Sequence, residues 1–216
     1  MEEQKLKQLA QPLLAWYDIH RRILPWREEV SAYRTWVSEI MLQQTRVAAV
    51  IPYFQRFMAA YPTVEDLAAC DEGELMRLWA GLGYYSRARN LRRAAQVIAE
   101  EYGGAFPRTY QQLMALPGVG DYTAGAILSI AFGQAVPAVD GNVFRVLSRL
   151  TENPTDISQP LYRAYLQEKL TSPTIVVAIS LAASENSHEQ RNHKTDDSQP
   201  RKHDIEEPKG EIGSGY

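Results

Sequence analysis

Apolar residues recur at helical spacing through the first 150 residues, and almost no stretch alternates as a strand would. At the start of the chain, Leu6, Leu9, Leu13 and Tyr17 fall on one face of a helix that runs from Leu6 to Ile19. The same spacing predicts further helical segments over residues 33–61 (interrupted near Pro52), 62–67, 71–80, 85–102, 109–116, 122–132 and 142–150. The pattern therefore predicts an all-α fold.

Cap and turn residues delimit these helices. Asp71, with Glu74 three residues later, is a capping box that begins a helix. The chain breaks at Pro25–Trp26, and the glycines of Gly81–Leu82–Gly83 and Gly103–Gly104 each end a helix.

The amino-acid composition of the chain changes after about Leu170. From Ser184 to Tyr216 the only large apolar residues are Ile205, Ile212 and Tyr216, and the rest is rich in charge, Ser, Asn, Gln and Pro. Such a segment cannot bury enough apolar surface to offset its loss of conformational entropy. Residues 171–216 are therefore predicted to form a divergent, mostly disordered tail.

Composition favours a cytoplasmic protein. The polar start Met1-Glu2-Glu3-Gln4-Lys5 does not predict a signal peptide. The longest apolar run, Thr174 to Ala183, is too short to span a bilayer. Cys70 is the only cysteine, so neither a disulfide framework nor a cysteine-ligated metal cluster is expected within this chain.

The net charge of -3 conceals an uneven distribution. Residues 1–150 carry 16 basic and 15 acidic side chains, whereas residues 151–216 carry 7 basic and 11 acidic ones. In the first part 14 of the basic residues are Arg, which suits bidentate phosphate contacts. The alternative is that these arginines form ordinary solvated helix faces.

A glycine turn opens a helix at Leu116-Pro117-Gly118-Val119-Gly120. Gly118 and Gly120 can take positive φ and allow a second backbone to approach closely. The amides at the start of the next helix can then receive a phosphate. Asp140 follows about twenty residues later, before another helix. A turn that holds a DNA backbone beside a carboxylate is typical of a base-excising enzyme.

Two carboxylates are candidates for the chemistry. Glu39 is a lone acid in an otherwise apolar and amide-rich helix, so partial burial would keep it protonated as a general acid. Asp140 would supply negative charge to a sugar cation. The alternatives are an exposed helical Glu39 and an Asp140 that only caps the helix starting near Asn142.

The motifs occur in an order that resembles the helix-hairpin-helix DNA glycosylases. Within them, the chain is similar to the adenine glycosylases of the MutY family, which remove adenine mispaired with 8-oxoguanine. The resemblance covers roughly residues 5–160. It rests on Leu24-Pro25-Trp26-Arg27, Gln43-Gln44-Thr45, Gly83-Tyr84-Tyr85-Ser86-Arg87, Leu116 to Gly120, and Val139-Asp140-Gly141-Asn142-Val143.

The resemblance implies four catalytic residues. Glu39 protonates adenine N7, Asp140 stabilises the sugar cation, and Asn142 positions Asp140 or the attacking water. Tyr122 stands where bifunctional relatives such as endonuclease III carry a lysine that forms a Schiff base with the sugar. Hydrolysis without efficient strand cleavage is therefore expected.

The resemblance also implies an adenine pocket and a DNA-binding surface. Trp26, Arg27 and Leu42 would surround the extruded adenine. Gln44 would insert into the duplex and Tyr84 would wedge beside the oxidised guanine, although both rings of Tyr84–Tyr85 could instead be core. The predicted DNA contacts are Gln44, Tyr84, Arg87, Leu116, Gly118, Val119 and Gly120.

The chain departs from this family after about Leu170. The family continues into helices that complete a second lobe and into four cysteines that hold a [4Fe–4S] cluster, and these cysteines are missing here. No cofactor is therefore expected, and the fold is expected to be a helix-hairpin-helix glycosylase with an incomplete iron–sulfur lobe. Without that lobe, Leu9, Leu13, Leu14 and Trp16 are expected to lose burial.

The sequence divides into four segments and leaves two alternatives to an active enzyme. Residues 1–26 are assigned to the incomplete lobe, 27–135 to the hairpin lobe, 136–170 to the Asp140 loop and its helices, and 171–216 to the tail. The expected protein is a monomeric, DNA-associated bacterial enzyme that acts on duplexes with A:8-oxoG or A:G mismatches. The alternatives are a non-catalytic DNA-binding remnant and a partly unfolded product.

Overall fold

A computed structural model of the chain describes residues 2–150 and, beyond them, positions 152, 155, 159, 162, 164 and 165. Within these residues the chain is helical and contains no strand. The helices are α1 (Glu2–His20), α2 (Pro25–Glu28), α3 (Ala32–Leu42), α4 (Val47–Ala60), α5 (Val64–Ala69), α6 (Glu72–Trp79), α7 (Ser86–Tyr102), α8 (Tyr110–Met114), α9 (Asp121–Ala126), the π-helical turn Ile127–Ala131, and α10 (Gly141–Leu150). The all-α prediction is confirmed.

No helix in the part of the chain that the structure describes is long and apolar enough to cross a membrane.

Helix α3 is the centre of the core. It packs against α4, α7, α9 and the π-helical turn. Every residue from Thr35 to Leu42 is buried, including the polar Thr35, Ser38 and Glu39, because these elements pack around the helix. The apolar core extends from Leu24 to Leu128, so the hairpin lobe shares one hydrophobic interior.

Local caps begin and end the helices largely where the sequence predicts. The Asp71 carboxylate accepts a hydrogen bond from the Glu74 amide and begins α6. Thr63 and Asp66 form a reciprocal capping box at the start of α5. Gly103, at φ 58°, ends α7 in the left-handed conformation.

The predicted interruption near Pro52 is wrong. Pro52 lies inside α4, which continues to Ala60 despite the hydrogen bond that proline removes, and the chain instead turns between Leu42 and Val47. In that turn the Thr45 amide donates to the Leu42 carbonyl at 3.2 Å. Pro25 marks a break, as predicted, but it also begins the short helix α2.

The glycine hairpin joins α8 to α9. Gly118 has φ +77°, and a Cβ there would lie 2.8 Å from the Asn90 Cβ of α7. Gly118 therefore allows both the turn and the close approach of a helix. The prediction that Gly120 also takes positive φ is wrong: its φ is −112° and its ψ is 178°, extended values that any residue adopts.

A second close approach positions the loop before α10. A Cβ at Gly125 would overlap the Pro137 carbonyl oxygen and lie 3.1 Å from the Ala138 Cα. Only a glycine allows the 136–140 loop to lie this close to α9. The π-helical turn follows immediately, a geometry that often occurs beside functional sites.

Helix α1 is partly covered. Tyr17 is buried and Leu13 and Leu14 are half-buried, whereas Trp16 is exposed, as expected for a helix with little cover. The Leu9 side chain and the predicted tail of residues 171–216 lie outside the described residues, so both remain predictions.

Candidate active site

A cavity of about 230 Å³ lies between α1, the α2–α3 region and the π-helical turn. It is lined by Leu14, Tyr17, Asp18, Arg21, Trp26, Arg27, Val30, Thr35, Ser38, Glu39 and Ile130. Its wall combines aromatic and charged groups around one buried acid. This combination suits a planar, polar ligand held beside a proton donor.

Glu39 is the buried acid of this cavity. Its side chain projects from the middle of α3 and the residue is only 6% exposed. Burial raises its pKa to about 7, against the opposing effects of a Tyr122 hydrogen bond and the Arg27 charge, while the nearby charge of Asp140 adds to the rise. The alternative of an exposed helical glutamate is therefore wrong, and burial favours the protonated form of Glu39.

Tyr122 joins α9 to this acid. Its hydroxyl donates a hydrogen bond to the Glu39 carboxyl. Burial, followed by the negative charges of Glu39 and Asp140, raises the pKa of Tyr122 well above its ordinary value. Tyr122 therefore stays a neutral donor, and the structure brings it together with Glu39 and Asp140.

Three nitrogen donors hold the Asp140 carboxylate. The backbone amides of Asn142 and Val143 each donate to its Oδ1 at 2.9 Å, and the Asn142 Nδ2 donates to its Oδ2 at 3.0 Å. Asp140 thus caps α10, which was the alternative role predicted for it. It also lies close enough to Glu39 and Tyr122 to affect their pKa values. Arg145 donates in turn to the Asn142 side-chain oxygen.

Two of the three predicted pocket residues line the cavity. Trp26 packs edge-on against Phe54 at 5.3 Å between ring centroids, and the Arg27 guanidinium lies 5.7 Å from the centre of the Tyr17 ring. Leu42 is different, because it is 2% exposed in the hydrophobic core and does not line the cavity. The structure therefore does not support a direct pocket contact for Leu42.

Two predicted DNA contacts lie on exposed turns outside the cavity. Gln44 follows α3 and Tyr84 precedes α7, and Tyr84 is 63% exposed. Both have left-handed backbones, with φ +59° for Gln44 and +48° for Tyr84. This conformation costs a non-glycine residue about 1–2 kcal/mol. The exposure argues against the alternative that Tyr84 belongs to the core.

Arg87 does not lie on this exposed surface. It is 9% exposed, and its guanidinium donates to five backbone carbonyls. These are Ile40 (2.8 Å), Met41 (3.0 Å) and Gln43 (2.6 Å) from Nη1, and Leu82 (3.1 Å) and Gly83 (3.2 Å) from Nη2. The predicted direct contact between Arg87 and DNA does not agree with this burial.

The hairpin divides into a buried and an exposed half. The side chains of Leu116 and Val119 are buried in the core, so any contact they make with DNA goes through the backbone. Gly118 and Gly120 are exposed, and a Cβ at Gly120 would meet nothing within 4 Å. The space beside Gly120 is therefore open to a ligand.

Several functional positions are missing from the sequence prediction. Tyr17 of α1 and Arg21, which follows that helix, line the cavity although residues 1–26 were assigned to another lobe. Gly125 positions the Asp140 loop, and the small residues on either side of it, Ala124 and Ala126, were the available signal of a close approach.

The family resemblance implies an iron–sulfur cluster, and the residues present do not fit one. Cys70 is the only cysteine in the chain and is buried. Among the described residues, no group of three or more His, Cys, Asp or Glu side chains could hold a metal ion. One cysteine cannot supply the four thiolate ligands of such a cluster. The expected absence of other cofactors stays a prediction.

Comparison with known proteins gives a consistent result. Residues 37–172 match the HhH-GPD superfamily of base excision DNA repair proteins. The chain is 53% identical over 158 residues to the adenine DNA glycosylase of Homo sapiens, covering 69% of this chain but 29% of that protein. It is 42% identical over 173 residues to the adenine DNA glycosylase of Mycolicibacterium smegmatis, covering 77% and 59% respectively. The chain thus spans less than two thirds of either relative.

Solved structures share the fold. A thermostable thymine-DNA glycosylase superimposes with a TM-score of 0.72 at 27% identity, covering 85% of this chain and 87% of that one. Endonuclease III in a non-covalent DNA complex superimposes with a TM-score of 0.67 at 25% identity, covering 83% and 82%.

Proposed function

The chain belongs to the HhH-GPD superfamily of base excision DNA repair proteins, and on that premise we propose that it is a monofunctional adenine DNA glycosylase. It would hydrolyse the N-glycosidic bond of adenine opposite 8-oxoguanine or guanine in duplex DNA. The observation that carries this proposal is the buried Glu39 carboxyl, which accepts a hydrogen bond from Tyr122 and lies near Asp140. The identity with adenine DNA glycosylases supports the choice of adenine.

Glu39 is the proposed general acid. An adenine anion is a poor leaving group, so the bond between C1′ and N9 breaks readily only after the base gains a proton. Glu39 gives its proton to N7, and the bonding electron pair leaves with the neutral adenine. A pKa of about 7 suits this step, because about half of the molecules hold the proton at neutral pH.

Asp140 is the proposed partner of the sugar. Positive charge develops at C1′ as the bond breaks, and a fixed carboxylate stabilises that charge before water adds. The donors from Asn142 and Val143 hold the carboxylate in one orientation, which limits reorganisation during the reaction. Asn142 is therefore a positioning residue for Asp140.

Tyr122 argues for hydrolysis without strand cleavage. A lyase of this superfamily needs an amine to form a Schiff base with the opened sugar, and a neutral phenol cannot do so. No lysine occurs in the sequence between Lys7 and Lys169. Borohydride is therefore expected to trap no covalent adduct with DNA, and efficient trapping would contradict the monofunctional assignment.

The DNA itself would lie across the exposed turns. Gln43, the residue before Gln44, lines one small pocket together with Arg87 and Gly118 of the hairpin. Trp26 and Arg27 line the cavity that would receive a flipped base. The hairpin amides are proposed to hold the phosphate backbone, which makes binding salt-dependent.

The test is a single-turnover assay with enzyme in excess over an A:8-oxoG duplex, followed by alkali. We expect alkali-dependent breakage at the adenine, and little breakage without alkali. Glu39→Gln is the matched control, since it keeps the shape of the side chain but removes the proton donor. It should lower the rate of base release by at least about 1,000-fold and leave duplex binding intact.

Two outcomes would contradict the proposal. Release by Glu39→Gln at the wild-type rate would remove Glu39 as the acid. Duplex binding by the wild-type chain with no release would favour a non-catalytic DNA-binding remnant of this superfamily.

A further inference from the structure

Arg87 connects the two exposed turns at which the proposed DNA contacts lie. Its Nη1 donates to the carbonyls of Ile40 and Met41 near the end of α3 and to that of Gln43, the residue before Gln44. Its Nη2 donates to Leu82 and Gly83, the residues before Tyr84. The two turns are some forty residues apart in sequence, and one guanidinium links them directly.

The two residues that follow these contacts share a conformation that few side chains adopt. Gln44 and Tyr84 are two of the three non-glycine residues with positive φ among the residues that the structure describes. Such a backbone persists only when its surroundings fix it. On each turn, the carbonyl immediately before the left-handed residue accepts a hydrogen bond from Arg87.

The chemistry of arginine suits this role. The planar guanidinium presents several donors in a rigid fork, so it can satisfy carbonyls on two elements at once. It also lies 5.5 Å from the centre of the Trp79 ring and 5.6 Å from that of the Tyr84 ring, which fixes its plane. Lysine, a point charge with three rotatable donors, cannot bridge both turns in the same way.

We propose that Arg87 is a positioning residue that fixes Gln44 and Tyr84 relative to each other, so that both side chains enter the duplex together. Arg87 does not touch DNA; it acts through the two turns. The roles of Gln44 and Tyr84 in this inference rest on the proposed function, whereas the linkage of the two turns does not.

The first test needs no DNA. Amide hydrogen exchange is measured on the full chain for Arg87→Met, which keeps most of the length but removes every donor. The Thr45 amide, which donates to Leu42, reports on one turn, and the Leu82 amide, which donates to Trp79, reports on the other. We expect exchange at both amides to become at least about tenfold faster.

Two controls separate this effect from general loosening. Arg92 lies on the same helix but contacts Cys70, whose carbonyl accepts from its Nε at 2.9 Å, and Glu72, and neither residue belongs to the two turns, so Arg92→Met should leave both turns unchanged. The Gly104 amide, which donates to Ile98 at the far end of α7, should exchange at the wild-type rate in both variants. If Arg87→Met changes only one turn, or changes Gly104 as much as both turns, the linkage is wrong. Arg87→Lys gives the same comparison if Arg87→Met does not fold.

The second test measures coupling on DNA. Arg87→Lys alone should weaken binding to an A:8-oxoG duplex by about tenfold, but by no more than about twofold when Tyr84→Ala is already present. Equal losses in the two backgrounds would mean that Arg87 does not act through Tyr84. If the wild-type chain releases no base, only the proposed function is contradicted. The exchange experiment tests the linkage of the two turns without DNA.

Discussion

The buried acid cluster, which is Glu39 with Tyr122 and Asp140, and the exposed turns of Gln44 and Tyr84 solve opposite physical problems. Around Glu39, the fold removes a carboxyl group from water and raises its pKa to about 7. At Gln44 and Tyr84, the fold leaves side chains in water and instead holds the backbone in an unfavourable conformation. Burial determines the pKa of the interior acid, whereas backbone restraint determines the conformation of the exposed turns.

The difference shows where sensitivity to mutation should lie. A buried ionisable group links its function to stability and to pH, because the same burial sets its pKa and costs free energy when it ionises. A substitution in an exposed, restrained turn should change ligand binding with little effect on the stability of the core. Variants that change one region without the other therefore test this separation, and they follow in order of expected effect.

The largest expected effect is a pH-dependent stability difference between the wild type and Glu39→Gln. The folded-state pKa of Glu39, about 7, lies above its ordinary value of 4.5, so the folded state binds the proton more tightly than the unfolded state. Its contribution is therefore complete below pH 4.5 and is lost as the pH rises to about 7. The loss amounts to about 3 kcal/mol. Urea unfolding of both proteins from pH 4 to 8 measures it, and a constant difference across that range would contradict the buried acid.

Gly125→Ala should disturb the acid cluster by moving the loop that carries Asp140. The added methyl overlaps the Pro137 carbonyl, and backbone cannot give way as a side chain can. We expect a loss of about 2–3 kcal/mol in the free energy of unfolding, with a fall in base release. Release would fall while duplex affinity changes little. Unchanged stability and release would mean that the loop can shift freely.

Gly118→Ala and Gly120→Ala are a matched pair in the hairpin. At Gly118 the methyl would meet Asn90 at a positive φ, which should cost about 1–2 kcal/mol of stability. At Gly120 the methyl meets nothing and φ is ordinary, so stability should stay within about 0.5 kcal/mol. Duplex binding should nevertheless weaken for Gly120→Ala, as measured by fluorescence anisotropy. Full binding by that variant would remove the proposed phosphate contact.

The smallest expected effect is a gain in stability. Gln44→Gly removes the strain of a left-handed non-glycine residue, and the free energy of unfolding should rise by about 0.5–1 kcal/mol. Duplex affinity should fall at the same time, because the proposed inserting side chain is gone. Thermal or urea unfolding beside an affinity measurement checks both. A loss of stability would show that the Gln44 side chain supports the fold.

Much of the fold follows from local signals in the sequence. The caps at Asp71 and Gly103 and the helical spacing predicted α6 and α7 closely, because short-range hydrogen bonds and one apolar stripe determine those helices. Pro52 misled the prediction, because the packing of the buried apolar face of α4 outweighs the one hydrogen bond that proline removes.

The site was predicted less completely than the fold. The spacing of Glu39 in an apolar helix indicated a buried acid, and its surroundings agree. The burial of Arg87, the core position of Leu42 and the contact of Gly125 with Pro137 depend on segments far apart in sequence. Sequence spacing carries no such distances, so these long-range contacts appear only in the folded chain.

The most direct test of the central claim is the pH dependence of single-turnover base release from an A:8-oxoG duplex between pH 5.5 and 9. With Glu39 as the acid at a pKa of about 7, the rate should be level below that pH and fall about tenfold per unit above it. A rate that stays constant up to pH 9, or rises with pH, would contradict proton donation by Glu39.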